Sequence, residues 1–183
     1  HDDHAGYLNE VLSECPDLQI VMSDKALERL YKGQNSFHGG CTTKFALFFC
    51  YLMKFVGKGK HLFPSIKQEY QCRCIQVTEQ NRKQVELLLQ GKIIDTPGHT
   101  ADSISLLLND GSLFCGDAAM NGLPSLHRIT IWAEDKTAFL KSWETIIALK
   151  PNLIYPGHGK PFEYEDLKIN LKRAKNMELL PIQ

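Results

Sequence analysis

The chain of 183 residues is long enough to bury a sizeable core, and its length favours a single folded domain. Its 21 Lys and Arg residues balance 21 Asp and Glu residues, so no overall excess of positive charge points to a nucleic-acid partner. The sequence contains no run of eighteen apolar residues, and we therefore expect no membrane-spanning helix and no membrane partner.

The first half of the chain predicts short strands alternating with helices. An apolar run at 18–22 is typical of a strand, and Ser23 with Asp24 can cap a helix that ends before Gly33. Residues 45–56 are almost wholly apolar but too few to cross a bilayer. They predict a helix that belongs to the core, or that forms a lid, rather than the wall of a substrate groove.

The middle of the chain leaves two interpretations open. A strand is predicted at 74–77. Residues 85–89 and 92–95 favour a hairpin turned at Gln90-Gly91, whereas 80–90 equally fit a helix.

The last part of the chain has clearer signals, because turn residues separate its apolar segments. Asn-Asp-Gly at 109–111 indicates a tight turn, and Asp135 is a helix cap. The predicted elements are strands over 103–108 and 112–115, a helix over 136–150, a strand over 153–155 and a helix over 164–179.

Six cysteines, at positions 15, 41, 50, 72, 74 and 115, form neither a C-x-x-C pair nor a regular framework. Because cysteine is commonly buried as a free thiol, we expect them to be unpaired. Free thiols favour a reducing compartment, and the expected location is the cytoplasm.

Four short loops carry residues that bind divalent metal ions. The chain opens with His-Asp-Asp-His at 1–4, which has the form of the end of an H-x-H-x-D-H ligand loop. Downstream follow Thr-Pro-Gly-His-Thr at 96–100, Gly-Asp at 116–117 and Pro-Gly-His-Gly at 156–159. Imidazole nitrogens suit zinc and a carboxylate can bridge two ions, so the loops predict a pair of adjacent divalent ions.

In this order and spacing, the loops resemble those of the metallo-β-lactamase-fold hydrolase superfamily, which includes glyoxalase II and the N-acyl homoserine lactonases. The resemblance covers residues 1 to about 162 and is weak from about 33 to 90. It implies an α/β (α+β) fold, a four-layer αββα sandwich, in one domain over 1–183. The segment at 33–90 is then expected to be a helical insert or lid that covers the cleft and sets specificity.

The resemblance also implies that this chain is incomplete at its N-terminus. In the family, the leading strands of the first half precede the first ligand loop, and they are absent here. We expect either a longer natural polypeptide or a homo-oligomer that covers the exposed sheet surface.

A ligand set follows from the resemblance. It assigns His1 and His99 to one ion, Asp3, His4 and His158 to the other, and Asp117 to a bridging position. A water or hydroxide between the ions attacks an electrophilic centre in the family, which gives Asp3 and Asp117 catalytic roles. The motif's first histidine would lie two positions before His1, so the first ion should be bound more weakly, or be lost, in the chain as given.

The expected function is therefore the hydrolysis of a small molecule. Two Zn²⁺ ions with two carboxylates and one hydroxide leave a charge near +1, which attracts a polarised ester, lactone or thioester. Iron and manganese also accept these ligands. The alternative is a non-catalytic metal-binding module with a reduced, mononuclear site.

Overall fold

The largest sheet of the protein brings three of the four ligand loops to one edge. The computed structural model describes residues 2–36, 38–57 and 62–182, and in it four strands pair in the order β4-β5-β6-β8. These strands are β4 (Gly91–Asp95), β5 (Ile104–Leu108), β6 (Ser112–Gly116) and β8 (Leu153–Pro156). Because β5 is antiparallel to β4 and β6, and β8 is parallel to β6, strands β4, β6 and β8 run in one direction. Each is followed by a ligand loop at the same edge.

Two long helices cover one face of this sheet. They are α6 (Lys136–Leu149) and α7 (Tyr164–Asn176). Asp135 caps α6 by accepting hydrogen bonds from the N–H groups of Thr137 and Ala138, as predicted. The main core lies between this face and the helices, and it includes the fully buried side chains Leu113, Ile154, Phe139, Trp143, Ile146 and Leu167.

A smaller parallel sheet packs on the other face. It pairs β1 (Ile20–Ser23) with β3 (Cys74–Val77), and Val77 meets Val85 and Ile93 in a buried cluster. Outside it, Leu12 and Leu30 of two further helices pack against Met22. The layers therefore follow the order helices, sheet, sheet, helices, which confirms the predicted αββα arrangement.

The small sheet covers only the β4–β5 side of the larger one. On β6 and β8, the rings of Phe114 and Tyr155 stack at 4.9 Å, and Phe114 is half-exposed. This part of the sheet surface is therefore partly open in the structure.

The remaining elements include several that sequence patterns did not predict. The helices are α1 (Asp2–Ala5), α2 (Leu8–Glu14), α3 (Leu27–Lys32), α4 (Lys44–Phe55) and α5 (Arg82–Leu89). Strands β2 (Gly40–Cys41) and β7 (Trp132–Ala133) form a two-residue antiparallel ribbon. Single 3₁₀ segments occupy Asp24–Ala26 and Gln68–Arg73.

The hairpin predicted over 85–95 is wrong, and the helical alternative is correct. Val85 and Leu89 lie one helical turn apart and face the same buried cluster, which stabilises α5. Gln90 ends that helix in the left-handed conformation, and β4 begins at Gly91. None of the helices in the described ranges combines the length and apolar character needed to cross a bilayer.

Candidate metal centre

One oxygen of Asp117 lies at the meeting point of three histidines. Its Oδ2 atom is 3.1 Å from Nε2 of His4, 3.5 Å from Nε2 of His99 and 3.7 Å from Nε2 of His158. These side chains come from α1 and from the loops after β4 and β8, while Asp117 itself follows β6. The carboxylate therefore lies among histidines from three separate parts of the chain.

Asp3 completes a second group with His4 and His158. The ligand atoms of these three side chains all lie within 4.8 Å of one another, and the Asp3 Oδ2 atom is 2.9 Å from Nε2 of His158. Asp3 and His4 belong to the short helix α1, whereas His99, Asp117 and His158 each follow a strand. His1 lies outside the described residues.

His99 is buried and held in a defined orientation. Its Nδ1 atom lies 2.8 Å from the carbonyl oxygen of Trp132, an acceptor, and 3.2 Å from the hydroxyl of Thr130. The ring proton therefore sits on Nδ1, and Nε2 points toward Asp117 with the lone pair that a metal ion needs.

Two glycines allow the loops to approach each other this closely. A Cβ atom on Gly157 would lie 2.6 Å from Cε1 of His4 and 2.8 Å from Oδ1 of Asp117. At Gly98 the φ angle is +134°, and a Cβ atom would lie 2.3 Å from the backbone of Phe139.

The residues present fit divalent metal ions. The Oδ1 atom of Asp117 is buried and has no hydrogen-bond partner within the described parts of the chain. A buried carboxylate oxygen is costly to leave without a partner, and a cation would supply one. The mixed imidazole and carboxylate ligands suit zinc, and they also suit iron and manganese.

Comparison with known families is consistent with this geometry. Residues 1–158 match the sequence profile of the metallo-β-lactamase superfamily. The chain belongs to the metallo-β-lactamase superfamily. Members of this superfamily are generally metal-dependent hydrolases, and divalent ions such as zinc or iron bind to their sites.

Two relatives with curated sequences match about half of this chain. Both are named "Beta-lactamase-like protein 2 homolog": the Drosophila melanogaster protein is 39% identical over 93 residues, and the Caenorhabditis elegans protein is 34% identical over 96 residues. The alignments cover 49% and 50% of this chain and 30% of each relative. The matched part thus spans less than a third of the relatives' length.

Solved structures share the metallo-β-lactamase fold over nearly the whole chain. An archaeal superfamily protein from Sulfolobus tokodaii has a TM-score of 0.56 at 18% identity, covering 97% of this chain and 66% of its own. TTHA1623, solved in a di-iron-bound form, has a TM-score of 0.57 at 19% identity, with 93% and 70% covered. The BLEG-1 B3 metallo-β-lactamase has a TM-score of 0.58 at 16% identity, with 96% and 74% covered.

The pKa values of three residues at this site are shifted, and each shift has its own cause. The hydrogen bond with Asp117 raises the pKa of His4 above its ordinary value, against the opposing effect of burial. Burial lowers the pKa of His99, so this imidazole is neutral at neutral pH. Burial works to raise the pKa of Asp117, but the hydrogen bond with His4 and the nearby histidines outweigh it and the pKa is lowered.

A buried ionic network, which sequence reasoning missed, holds the loop that carries His99. Glu134 accepts two hydrogen bonds from Arg29, at 2.8 and 3.0 Å, and a third from the N–H of Ala101 at 2.7 Å. The backbone N–H of Glu134 donates to the carbonyl of Gly98 at 2.8 Å. These contacts join α3 to both sides of His99. No local pattern predicts them, because Arg29 and Glu134 are far apart in sequence.

A cavity of about 610 Å³ opens from the metal centre and is mainly apolar. Asp3, His99, Asp117 and His158 lie at its polar end, whereas α4 contributes Phe49, Cys50 and Met53 to its wall. No Lys or Arg of the described residues lines it. The expectation that 45–56 belong to the core rather than to a groove is therefore wrong: only Ala46 of α4 is buried, since the helix rests on the short β2–β7 ribbon.

Proposed function

We propose that the protein is a dinuclear metallohydrolase that cleaves an ester, lactone or thioester bond of a small molecule. The observation that supports this most strongly is the convergence of His4, His99 and His158 on one buried oxygen of Asp117. Zinc is the first candidate for both ions, with iron or manganese as alternatives.

Each ligand has a distinct task in this proposal. His99, together with His1, holds the first ion, and Asp3, His4 and His158 hold the second. The carboxylate of Asp117, close to all three histidines, would offset part of the charge of the ions. When bound, such ions polarise the target carbonyl and lower the pKa of water at the site toward about 7. Asp3 and Asp117 are the carboxylates closest to the reacting atoms.

The cavity supports a substrate with an uncharged apolar group. Phe49 and Met53 from one side, and Ile131 and Trp132 from the other, provide apolar contacts next to the polar end. The absence of Lys and Arg from the described lining gives no support to a polyanionic substrate such as nucleic acid. The proposed substrate is therefore small, with its scissile bond at the metal ions and its apolar part along α4.

The test is an activity screen on the natural full-length protein loaded with zinc or manganese. The substrates are a homologous series of acyl esters, acyl thioesters and lactones, with a phosphodiester as the comparison. Replacing an outer partner of a metal ligand costs about 10- to 100-fold, so Asp117→Asn, which alters the ligand itself, should cost more than about 100-fold. Asp17→Asn, at an exposed position, is the matched control. Full activity in Asp117→Asn would contradict the proposal.

A mononuclear, non-catalytic site is the second candidate. The observation that favours it is that Asp3, His4 and His158 by themselves bring their ligand atoms within 4.8 Å of one another, which is enough to hold one ion. Metal analysis separates the two candidates. About one ion per chain and no turnover of any substrate would favour the binding module, and about two ions with turnover would favour the hydrolase.

A further inference from the structure

Helix α4 has a second set of apolar side chains, which do not line the cavity. Phe45, Phe48, Leu52 and Phe55 are all exposed, with 67% of Phe48 and 88% of Phe55 accessible. Their spacing of three, four and three residues places them in one stripe along the helix. We call these four residues the outer stripe. An exposed stripe of this size is unusual on a protein surface that faces only water.

The apolar surface continues to the mouth of the cavity. Val56, Leu62 and Leu123 line the cavity and are also exposed, Leu123 by 83%. Val56 follows directly after α4, and Leu123 lies on the opposite wall. The outer stripe and the cavity rim therefore form neighbouring apolar surfaces around one opening.

The segment of the chain that includes α4 has an excess of positive charge. Residues 29–68 contain seven Lys or Arg residues and no Asp or Glu, while the rest of the chain has 14 Lys or Arg and all 21 Asp and Glu. Within α4, Lys44 and Lys54 are exposed at the two ends of the helix. A neutral protein thus has its apolar stripe within a segment that has only positive charge.

We propose that the outer stripe docks on the surface of an anionic phospholipid bilayer. A helix with an apolar face and lysines at its ends lies in the plane of the membrane interface, with its apolar side chains among the lipid headgroups and upper acyl chains. Anionic headgroups supply the negative charge that the segment lacks.

This inference goes beyond the proposed hydrolysis and differs from the expectation of no membrane partner. That expectation came from the missing run of eighteen apolar residues. Such a run is needed to cross a bilayer, not to lie on its surface.

A second copy of the chain is a poorer match for the same stripe. In a symmetric dimer the same surface is used by both partners, so α4 would face α4. The positively charged segment would then face a second copy of itself, and it offers no carboxylate to offset the repulsion.

The test uses the natural full-length protein with vesicles of phosphatidylcholine, prepared with and without phosphatidylglycerol. We expect the protein to sediment with the anionic vesicles, and added salt should weaken binding. The double variant Phe48→Ser, Phe55→Ser should bind at least about tenfold more weakly, because two large apolar side chains are lost from the interface. The matched control is Leu87→Ser, Leu88→Ser, which alters two exposed apolar residues on α5 and should bind like the parent protein.

Three results would overturn the proposal. One is the absence of binding to either kind of vesicle, and another is equal binding by the α4 and α5 double variants. The third is a dimer in light scattering that becomes a monomer in Phe48→Ser, Phe55→Ser, since the stripe would then be covered by a second copy. Lys44→Glu with Lys54→Glu should remove the preference for anionic over neutral vesicles, and a retained preference would also contradict the proposal.

Discussion

The Nε2 atom of His158 lies 2.9 Å from the carboxylate of Asp3, although the two residues stand near opposite ends of the chain. Asp3 belongs to α1, and His158 follows the last strand of the four-stranded sheet. The group formed by Asp3, His4 and His158 is therefore complete only when distant parts of the chain have come together.

Removing either partner should therefore remove the same ion. We expect Asp3→Ala and His158→Ala each to reduce the bound metal by about one ion per chain, as measured by mass spectrometry of the native protein. Because both residues serve one site, the double variant should lose little more than each single variant. His127→Ala, at an exposed position away from the site, is the control and should keep the parent stoichiometry. Fully additive losses would show that the two residues do not share an ion.

Gly157 offers a test of how tightly the ligands are packed. In Gly157→Ala the new methyl group would lie 2.6 Å from the His4 ring and 2.8 Å from Asp117, so these ligands must move. We expect overpacking to cost about 1–3 kcal/mol of stability, together with a clear loss of metal affinity measured by calorimetry.

The control for that variant is Gly57→Ala. Unlike Gly157, Gly57 has a positive φ, of +87°, and a Cβ atom there meets nothing within 4 Å. This variant should lose about 1–2 kcal/mol through backbone strain alone, with unchanged metal affinity. Equal metal affinity in both variants would contradict the close packing described around Gly157.

The sequence indicated which side chains come together at the site better than it indicated their surroundings. Gly and Pro beside His99 and His158 mark turns at the ends of apolar strands, and a turn is a local property that short motifs express. The common direction of β4, β6 and β8 then brings these turns to one edge. These short motifs were enough to show the resemblance to the superfamily, and the resemblance then supplied the proposed ligand set.

The supporting contacts could not be predicted in the same way. Trp132 accepts the hydrogen bond from the His99 ring through its backbone carbonyl. Every residue has such a carbonyl, so the identity of the side chain gives no signal for this contact. The pairing of Arg29 with Glu134 depends on how α3 packs against a distant loop. The apolar run of α4 was misjudged for a related reason: composition predicts a helix, but not which of its sides meets the core, the cavity or the solvent.

The buried thiol of Cys115 should resist alkylation. Burial raises the pKa of Cys115 to about 12, so at pH 8 the reactive thiolate is on the order of 10⁻⁴ of the total. Exposed Cys15 and Cys72 should react with iodoacetamide in the native protein, while Cys115 stays unmodified in a peptide map. In guanidinium chloride all six cysteines should react. Labelling of native Cys115 as fast as Cys72 would mean that β6 opens readily.

The raised pKa of His4 predicts how pH affects the metal-free protein. The hydrogen bond with Asp117 favours the protonated imidazole in the folded state, and the negative charges of Asp117 and Asp3 add to this effect. A group whose pKa is raised by folding contributes stability that is fully present below its unfolded pKa, near 6.5, and that is lost as pH rises through the folded pKa. The stability due to His4 should therefore be largest in mild acid and disappear in mild alkali.

Thermal unfolding of the metal-free protein and of His4→Gln, followed over this pH range, measures that contribution. The parent protein should have the higher melting temperature below pH 6.5, and the difference should shrink as pH rises, since glutamine cannot take up a proton. His127→Gln, which alters an exposed histidine outside the site, should not reproduce this trend. With added zinc, the difference in melting temperature should instead grow as pH rises. A metal ion binds only the neutral imidazole and must displace the proton that Asp117 helps to hold. A difference in melting temperature between the parent and His4→Gln that did not change with pH would show that the contact with Asp117 does not favour protonated His4 in the folded chain.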